Sequence, residues 1–182
     1  MHHFMTRFIV VRSLQIMILT ALTVSVLASC DEANGGEVGR SVYDHIVGES
    51  DLSTLEDAIN LVDLLDQFAF DNPEGRDYTI FAPTDEAFEA FLQSQGASEL
   101  DQLDPEVLSD VLKYHIVRDS LDSEDLIDSS DVITVQGSSV SLSGDDVESL
   151  EVNNINLTSD IDNSLDNGYV HEIDGVLVPP SD

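Results

Sequence analysis

Apolar and polar positions divide the chain into three stretches with different periods. Residues 14–27 form an apolar run broken only by Gln15, Thr20, Thr23 and Ser25, with Arg7 and Arg12 ahead of it. At about 14 residues it is shorter than the ~20 needed to cross a bilayer as a helix, so it reads as the h-region of a removable signal peptide. From residue 41 the period is helical. Val42, Ile46 and Val47 share one face, and Leu55, Ala58, Ile59, Val62 and Leu65 follow at three- and four-residue steps behind a Ser53-Thr54-Leu55-Glu56 capping box. Asn72-Pro73-Glu74-Gly75 breaks the chain, and residues 78–82 then read as a buried strand stopped by Pro83. Thr84 caps a helix with Phe88, Phe91 and Leu92 inward, and Asp104-Pro105 opens another with Val107, Leu108, Val111 and Leu112 inward. Residues 114–117 are expected to be a strand and 123–127 a helical turn. Beyond them the pattern alternates, and strands are expected at 132–135, 139–142, 150–152, 155–158, 169–173 and 176–178. Helices first and strands later predict a single α+β domain, its helices covering an antiparallel or mixed sheet system.

Composition sharpens the division. Residues 1–29 hold no Asp or Glu, so all 37 acids lie beyond them, against Arg40, Arg76, Lys113 and Arg118, which gives a formal charge of −33 from residue 30 onward. Such a surface repels phosphate backbones and anionic headgroups, which excludes nucleic acid and electrostatic membrane docking as partners and favours a monomer in dilute salt. The acidity reads either as adaptation to a high-salt habitat, which the scarcity of Lys favours, or as a solubilising surface.

Leu27-Ala28-Ser29-Cys30 closes the apolar run, and small residues before a lone cysteine resemble the lipobox of bacterial lipoproteins, in which that cysteine is acylated. The expected organisation is a signal peptide over residues 1–29, lipidated Cys30 and a flexible tether over 30–40, and a folded domain over 41–180. The chain would then be exported and lipid-anchored in the cell envelope, on the cell surface or the periplasmic face. With no second cysteine the domain must stand on its core alone.

Three segments resemble the fasciclin domain when taken together: TIFAPTDEAF at 79–88, LKYHIV at 112–117 and NGYVHEIDGVLVPP at 167–180, with SVYDHIV at 41–47 resembling its opening helix. The resemblance implies a wedge of two β-sheets flanked by helices, in secreted or membrane-anchored proteins linked to adhesion. In some animal members a Tyr-His pair with aliphatic neighbours has been tied to integrin binding, and Tyr114-His115 occupies the matching place. Read from the residues alone, such a stretch defaults to core, with His115 satisfying a buried backbone group. Asn167-Gly168 and Asp174-Gly175 are expected to supply positive φ at tight turns.

Chemistry is sparse. His45, His115 and His171 have no metal-ligand spacing, and no Gly-x-Ser-x-Gly elbow or phosphate-cradling loop occurs. Residues 160–166 alternate oxygens as a calcium loop does, but Leu165 stands where the turn wants Gly and His171 where a bidentate Glu is required, so the reading is a solvated acidic loop. Asn156-Leu157-Thr158 fits a glycosylation pattern and is read as strand and turn. No metal, cofactor or catalytic residue is expected. The function read from the chain is a non-catalytic adhesion or binding module whose partner is an extracellular protein or polysaccharide. A structural or accessory periplasmic lipoprotein is the alternative, and a carbohydrate-acting enzyme the third reading.

Overall fold

The computed structural model describes residues 40–64, 77–158 and 160–180. The signal segment, Cys30, the tether to residue 39, Leu65 and the 72–75 break lie outside the described residues.

Helix α1 (Val42–Gly48) opens on a capping box in which Ser41 accepts from Asp44 N–H and Asp44 accepts from Ser41. A 3-10 turn, Ser50–Leu52, leads into α2 (Ser53–Leu61). The expected Ser53–Glu56 box is not formed, because Ser53 is already inside the helix and Leu52 precedes it without a side-chain cap. The cap comes from elsewhere: Asp85 takes the Thr54 N–H and the Ser53 hydroxyl, both at 2.7 Å. Asp85 begins α3 (Asp85–Ser94), which follows β1 (Tyr78–Pro83) through the N-cap Thr84. Helix α4 (Pro105–Tyr114) starts on Asp104 and Pro105 as its sequence requires.

The strand expected from residue 114 begins two residues later, as β2 (Ile116–Val117), because Tyr114 continues the inward stripe of α4 and His115 caps it. After α5 (Ser123–Asp128) come β3 (Asp131–Ile133), β4 (Ser139–Ser143), β5 (Glu151–Val152) and β6 (Ile155–Asn156). The chain closes with β7 (Asn163–Leu165) and β8 (Gly168–Ile173). Strand β7 lies inside the 160–166 stretch expected to be a loop: Asp160, Asp162 and Asp166 flank it, and its three residues become regular only when β8 pairs with them. Residues 176–178 form no strand. Leu177 is buried, but its N–H goes to a histidine ring instead of a ladder.

Two four-stranded sheets result, β2-β1-β8-β7 and β3-β4-β5-β6. In the first, β1 runs parallel to β8 and antiparallel to β2; the second is antiparallel throughout. Helices α1 to α4 cover one face of the first sheet with Val42, Ile46, Leu55, Ile59, Phe88, Leu108 and Leu112, meeting Ile80 and Val170. Its other face packs on the second sheet, where Phe81 and Ile173 meet Val140, Leu142, Leu150 and Val152. Strand β1 is therefore buried at all six positions, which explains its apolar run without alternation. This is the expected α+β arrangement, helices against one sheet and that sheet against another.

The turns place positive φ where two-residue hairpins need it. Asn153 (φ 50°) and Asn154 (φ 65°) turn β5 into β6, and Gly168 (φ 137°) follows the β7–β8 turn. A Cβ on Gly168 would strike the Tyr78 carbonyl oxygen. Gly175, expected to have positive φ, does not; instead the Ile155 side chain lies over it, 3.2 Å from where a Cβ would stand.

Candidate functional site

The three motif segments converge on the interior and its corners. In the first, Thr79 is fully buried, donates its hydroxyl to Asp119 O at 2.7 Å and accepts from Leu121 N–H at 2.9 Å, so it fastens the segment after β2 to β1. Burial pushes the Asp85 carboxyl up, but the bonds from Thr54 and Ser53 outweigh it and hold the group below the usual carboxylate range.

Tyr114 and His115, the candidate contact pair, are 2% and 1% exposed. The Tyr114 hydroxyl donates to Ser139 O at 2.8 Å and accepts from Asn153 Nδ2 at 2.9 Å, tying α4 to β4 and to the β5–β6 turn. His115 Nδ1–H donates to Val111 O at 2.7 Å, and Nε2 accepts from Leu177 N–H at 2.9 Å. One nitrogen donating and the other accepting defines a neutral ring. Burial, opposed by the bond to Val111, lowers its pKa to about 4. The ring satisfies a carbonyl at the end of α4 and anchors the strandless 176–178 segment in one arrangement.

In the third segment Asn167 is 1% exposed. Its Oδ1 accepts from Val42 N–H at 2.8 Å at the head of α1, while its carbonyl accepts from Tyr78 N–H at 2.9 Å. Four residues on, His171 is fully buried: Nε2–H donates to Leu121 O at 2.8 Å and Nδ1 accepts from Asp162 N–H at 3.2 Å. The ring lies between Tyr169 and Phe81, with centroids 6.0 and 6.1 Å away. Burial lowers its pKa, against the bond to Leu121 and the charges of Asp162 and Asp122.

Ser123, Asp162 and His171 meet here, the nearest approach to a catalytic grouping among the residues described. Their connectivity is wrong for nucleophilic catalysis. Ser123 Oγ–H donates to the Asp162 carboxylate at 2.5 Å, its N–H does so at 2.7 Å, and both imidazole nitrogens are occupied by backbone, so the hydroxyl faces a carboxylate and no imidazole is placed to take its proton. Asp162 sits at φ 57° to make these contacts. In the acidic loop, Asp160 accepts from Asn163 Nδ2 at 2.9 Å. Among the described residues no three His, Cys, Asp or Glu are grouped to hold a metal ion. Asn156 is exposed and its amide donates to Asp174 at 2.9 Å.

Sequence reasoning found the motif residues but missed the partners that hold them. The roles of Asp85, Asn153, Asp162 and Asn167 depend on elements 31 or more residues away in the chain, and no local pattern announces them.

Residues 50–179 match the family model described as "Fasciclin domain". The chain is 34% identical to human periostin over 147 residues, covering 80% of this chain and 16% of periostin. It is 36% identical over 127 residues to the cell surface glycolipoprotein MPB83 of Mycobacterium bovis, covering 68% of this chain and 50% of MPB83. The chain thus spans only part of these relatives' length. Among solved structures, the FAS1 domain pair of the insect cell adhesion molecule Fasciclin I aligns with TM-score 0.44 and 21% identity, over 74% of this chain and 43% of that one. A motif set placed in order, a family match over most of the chain and the two-sheet fold lead to one assignment: the chain belongs to the fasciclin domain family.

Proposed function

We propose that the chain is an exported lipoprotein, cleaved ahead of Cys30 and held by a lipid on that cysteine. Residues 41–180 then serve as a single, non-catalytic fasciclin module for adhesion or binding at the cell envelope. The match of residues 50–179 to the fasciclin domain carries this reading, joined by a relative whose name is cell surface glycolipoprotein. The lipobox-like Leu27-Ala28-Ser29-Cys30 supports the anchor. The non-catalytic part is supported by how the conspicuous polar groups are used: Tyr114, His115 and His171 spend their hydrogen bonds inside the domain. Recognition therefore falls to the surface, and its charge suits an extracellular protein or polysaccharide and not a nucleic acid. On this reading Tyr114 and His115 support the fold and do not touch the partner.

Metabolic labelling with an alkyne fatty acid and protease shaving of intact cells test the proposal together. The wild-type chain is expected to carry label and to lose its domain to protease, while Cys30→Ser is unlabelled and appears in the soluble fraction. An unlabelled wild type removes the anchor. A labelled chain fully protected from protease removes surface display and puts the accessory periplasmic role first.

A further inference from the structure

His171 of β8 is fully buried, yet the two segments it holds reach the surface at Asp119 and Asp162. Its Nε2–H donates to Leu121 O at 2.8 Å and its Nδ1 accepts from Asp162 N–H at 3.2 Å, so the ring clasps the turn ahead of α5 and the segment ahead of β7. Asp162 offers the same nitrogen a second group. Its Oδ1 lies 3.8 Å from Nδ1, and this oxygen also takes the Ser123 N–H at 2.7 Å, while Oδ2 takes the Ser123 hydroxyl. The Asp162 side chain is 38% exposed, so solvent reaches the acid that stands beside the ring.

An imidazole nitrogen that accepts a hydrogen bond can no longer do so once it carries a proton. On a doubly protonated His171, Nδ1–H would meet the Asp162 N–H donor to donor, with Asp162 Oδ1 as the acceptor at hand. To close from 3.8 Å to hydrogen-bond distance, that oxygen must move toward the ring. Asp162 sits at φ 57°, left-handed backbone that these bonds hold in place. The charged groups facing the ring are Asp162 and, at the head of α5, Asp122; Phe81 of β1 and Tyr169 of β8 flank it with aromatic rings. His115 also donates one bond and accepts one, but both partners are main chain and no described carboxylate is paired with it. A second proton on His115 only breaks a bond, whereas on His171 it finds an acid.

We propose that His171 and Asp162 form a two-position proton switch. With the ring neutral, Asp162 gives its N–H to Nδ1 and its carboxylate to Ser123. With the ring protonated, the carboxylate turns to Nδ1–H and releases Ser123, and the head of α5 loosens from the segment ahead of β7 while the sheets stay paired. Burial, the largest influence, lowers the ring's pKa against the bond to Leu121 and the charges of Asp162 and Asp122. The neutral arrangement is therefore fully stable above the unfolded value near 6.5 and is lost as pH falls through the lower folded value, so the switch answers to acidification.

Nitrogen-15 NMR of the full chain from pH 8 to 4 tests the switch. At pH 8 the His171 ring is expected to carry its proton on Nε2. As it gains the second proton, exchange of the Ser123 amide, with intrinsic rates divided out, is expected to rise about tenfold or more relative to Leu142 of β4, with the same midpoint as the ring. In Asp162→Asn, which keeps an acceptor for Ser123 without the charge, the His171 midpoint is expected to fall and the Ser123 rise to move with it. The wild-type measurements stand alone if that variant does not fold. A proton on Nδ1 at pH 8, a ring still neutral at pH 4, a ring that titrates with Ser123 exchange unchanged, an equal rise at Leu142, or a midpoint unmoved in Asp162→Asn overturns the proposal.

Discussion

At the scale of single residues, this domain uses neutral imidazoles as fixed struts. His115 bridges a helix-end carbonyl and the N–H of Leu177 across 62 positions of sequence, which only a ring with one protonated nitrogen can do. Glutamine is shorter in reach and cannot make both contacts from that site, so His115→Gln is expected to cost about 2–3 kcal/mol at pH 7.5 in urea unfolding. The sign of the pH dependence follows from burial. Folded His115 resists protonation down to about pH 4, whereas the unfolded ring takes a proton near 6.5, so its stabilisation is present above 6.5 and is lost as pH falls toward 4. The gap between wild type and His115→Gln should therefore narrow steadily from pH 6.5 to 4. A gap that stays constant would show that the folded ring binds its proton as the unfolded one does, and a gap that widens would show that the fold holds the proton more tightly. Tyr114 and His115 stood out through the fasciclin resemblance, and their place in the core was legible from their setting among Leu112, Ile116 and Val117. Their partners, Ser139, Asn153 and Leu177, were not, since each is supplied by chain closure.

Among elements, the helix starts show where local signals suffice. Ser41, Thr84, Asp104 and Asp122 each cap the helix that follows them, and the first turns behind them carry acids as the helix dipole favours. Helix α2 breaks the pattern because its start is held by Asp85 of α3, so the two helices share one carboxylate. Asp85→Ala is expected to cost about 1–2 kcal/mol at pH 7 and to raise exchange in the first turn of α2 above that in α3. Loosening confined to α3 would mean that the carboxylate acts only on its own helix dipole. The same contrast explains what the sequence left obscure in the strands. Strand β1 is read easily because burial on both faces makes it uniformly apolar, and β4 because its Val140 and Leu142 alternate with serines. Strand β7 has three residues, and its order comes from pairing with Val170, Tyr169 and Gly168 across a turn.

On the scale of the whole molecule, charge sets the conditions under which this core suffices. Of the three strong bases in the described residues, Arg40 lies 3.6 Å from Glu49, Lys113 lies 3.9 Å from Asp110, and Arg118 is also engaged. None is free to offset the remaining acids, so the folded domain concentrates like charge that the unfolded chain would spread apart. Near 0.1 M salt the screening length is about 10 Å; near 1 M it is about 3 Å. Sodium chloride should therefore raise the thermal midpoint steeply, by about 5 °C or more between 0.1 and 2 M, with most of the gain below 1 M where screening changes fastest. The order of the gain separates the causes: screening saturates, whereas exclusion of salt from apolar surface grows in proportion to concentration and is stronger for sulfate than for chloride. A midpoint unchanged in sodium chloride would mean that the acids are spaced widely enough to be harmless, leaving the acidity as a solubilising coat. A saturating rise would mark the domain as one whose marginal stability is tuned to a saline exterior.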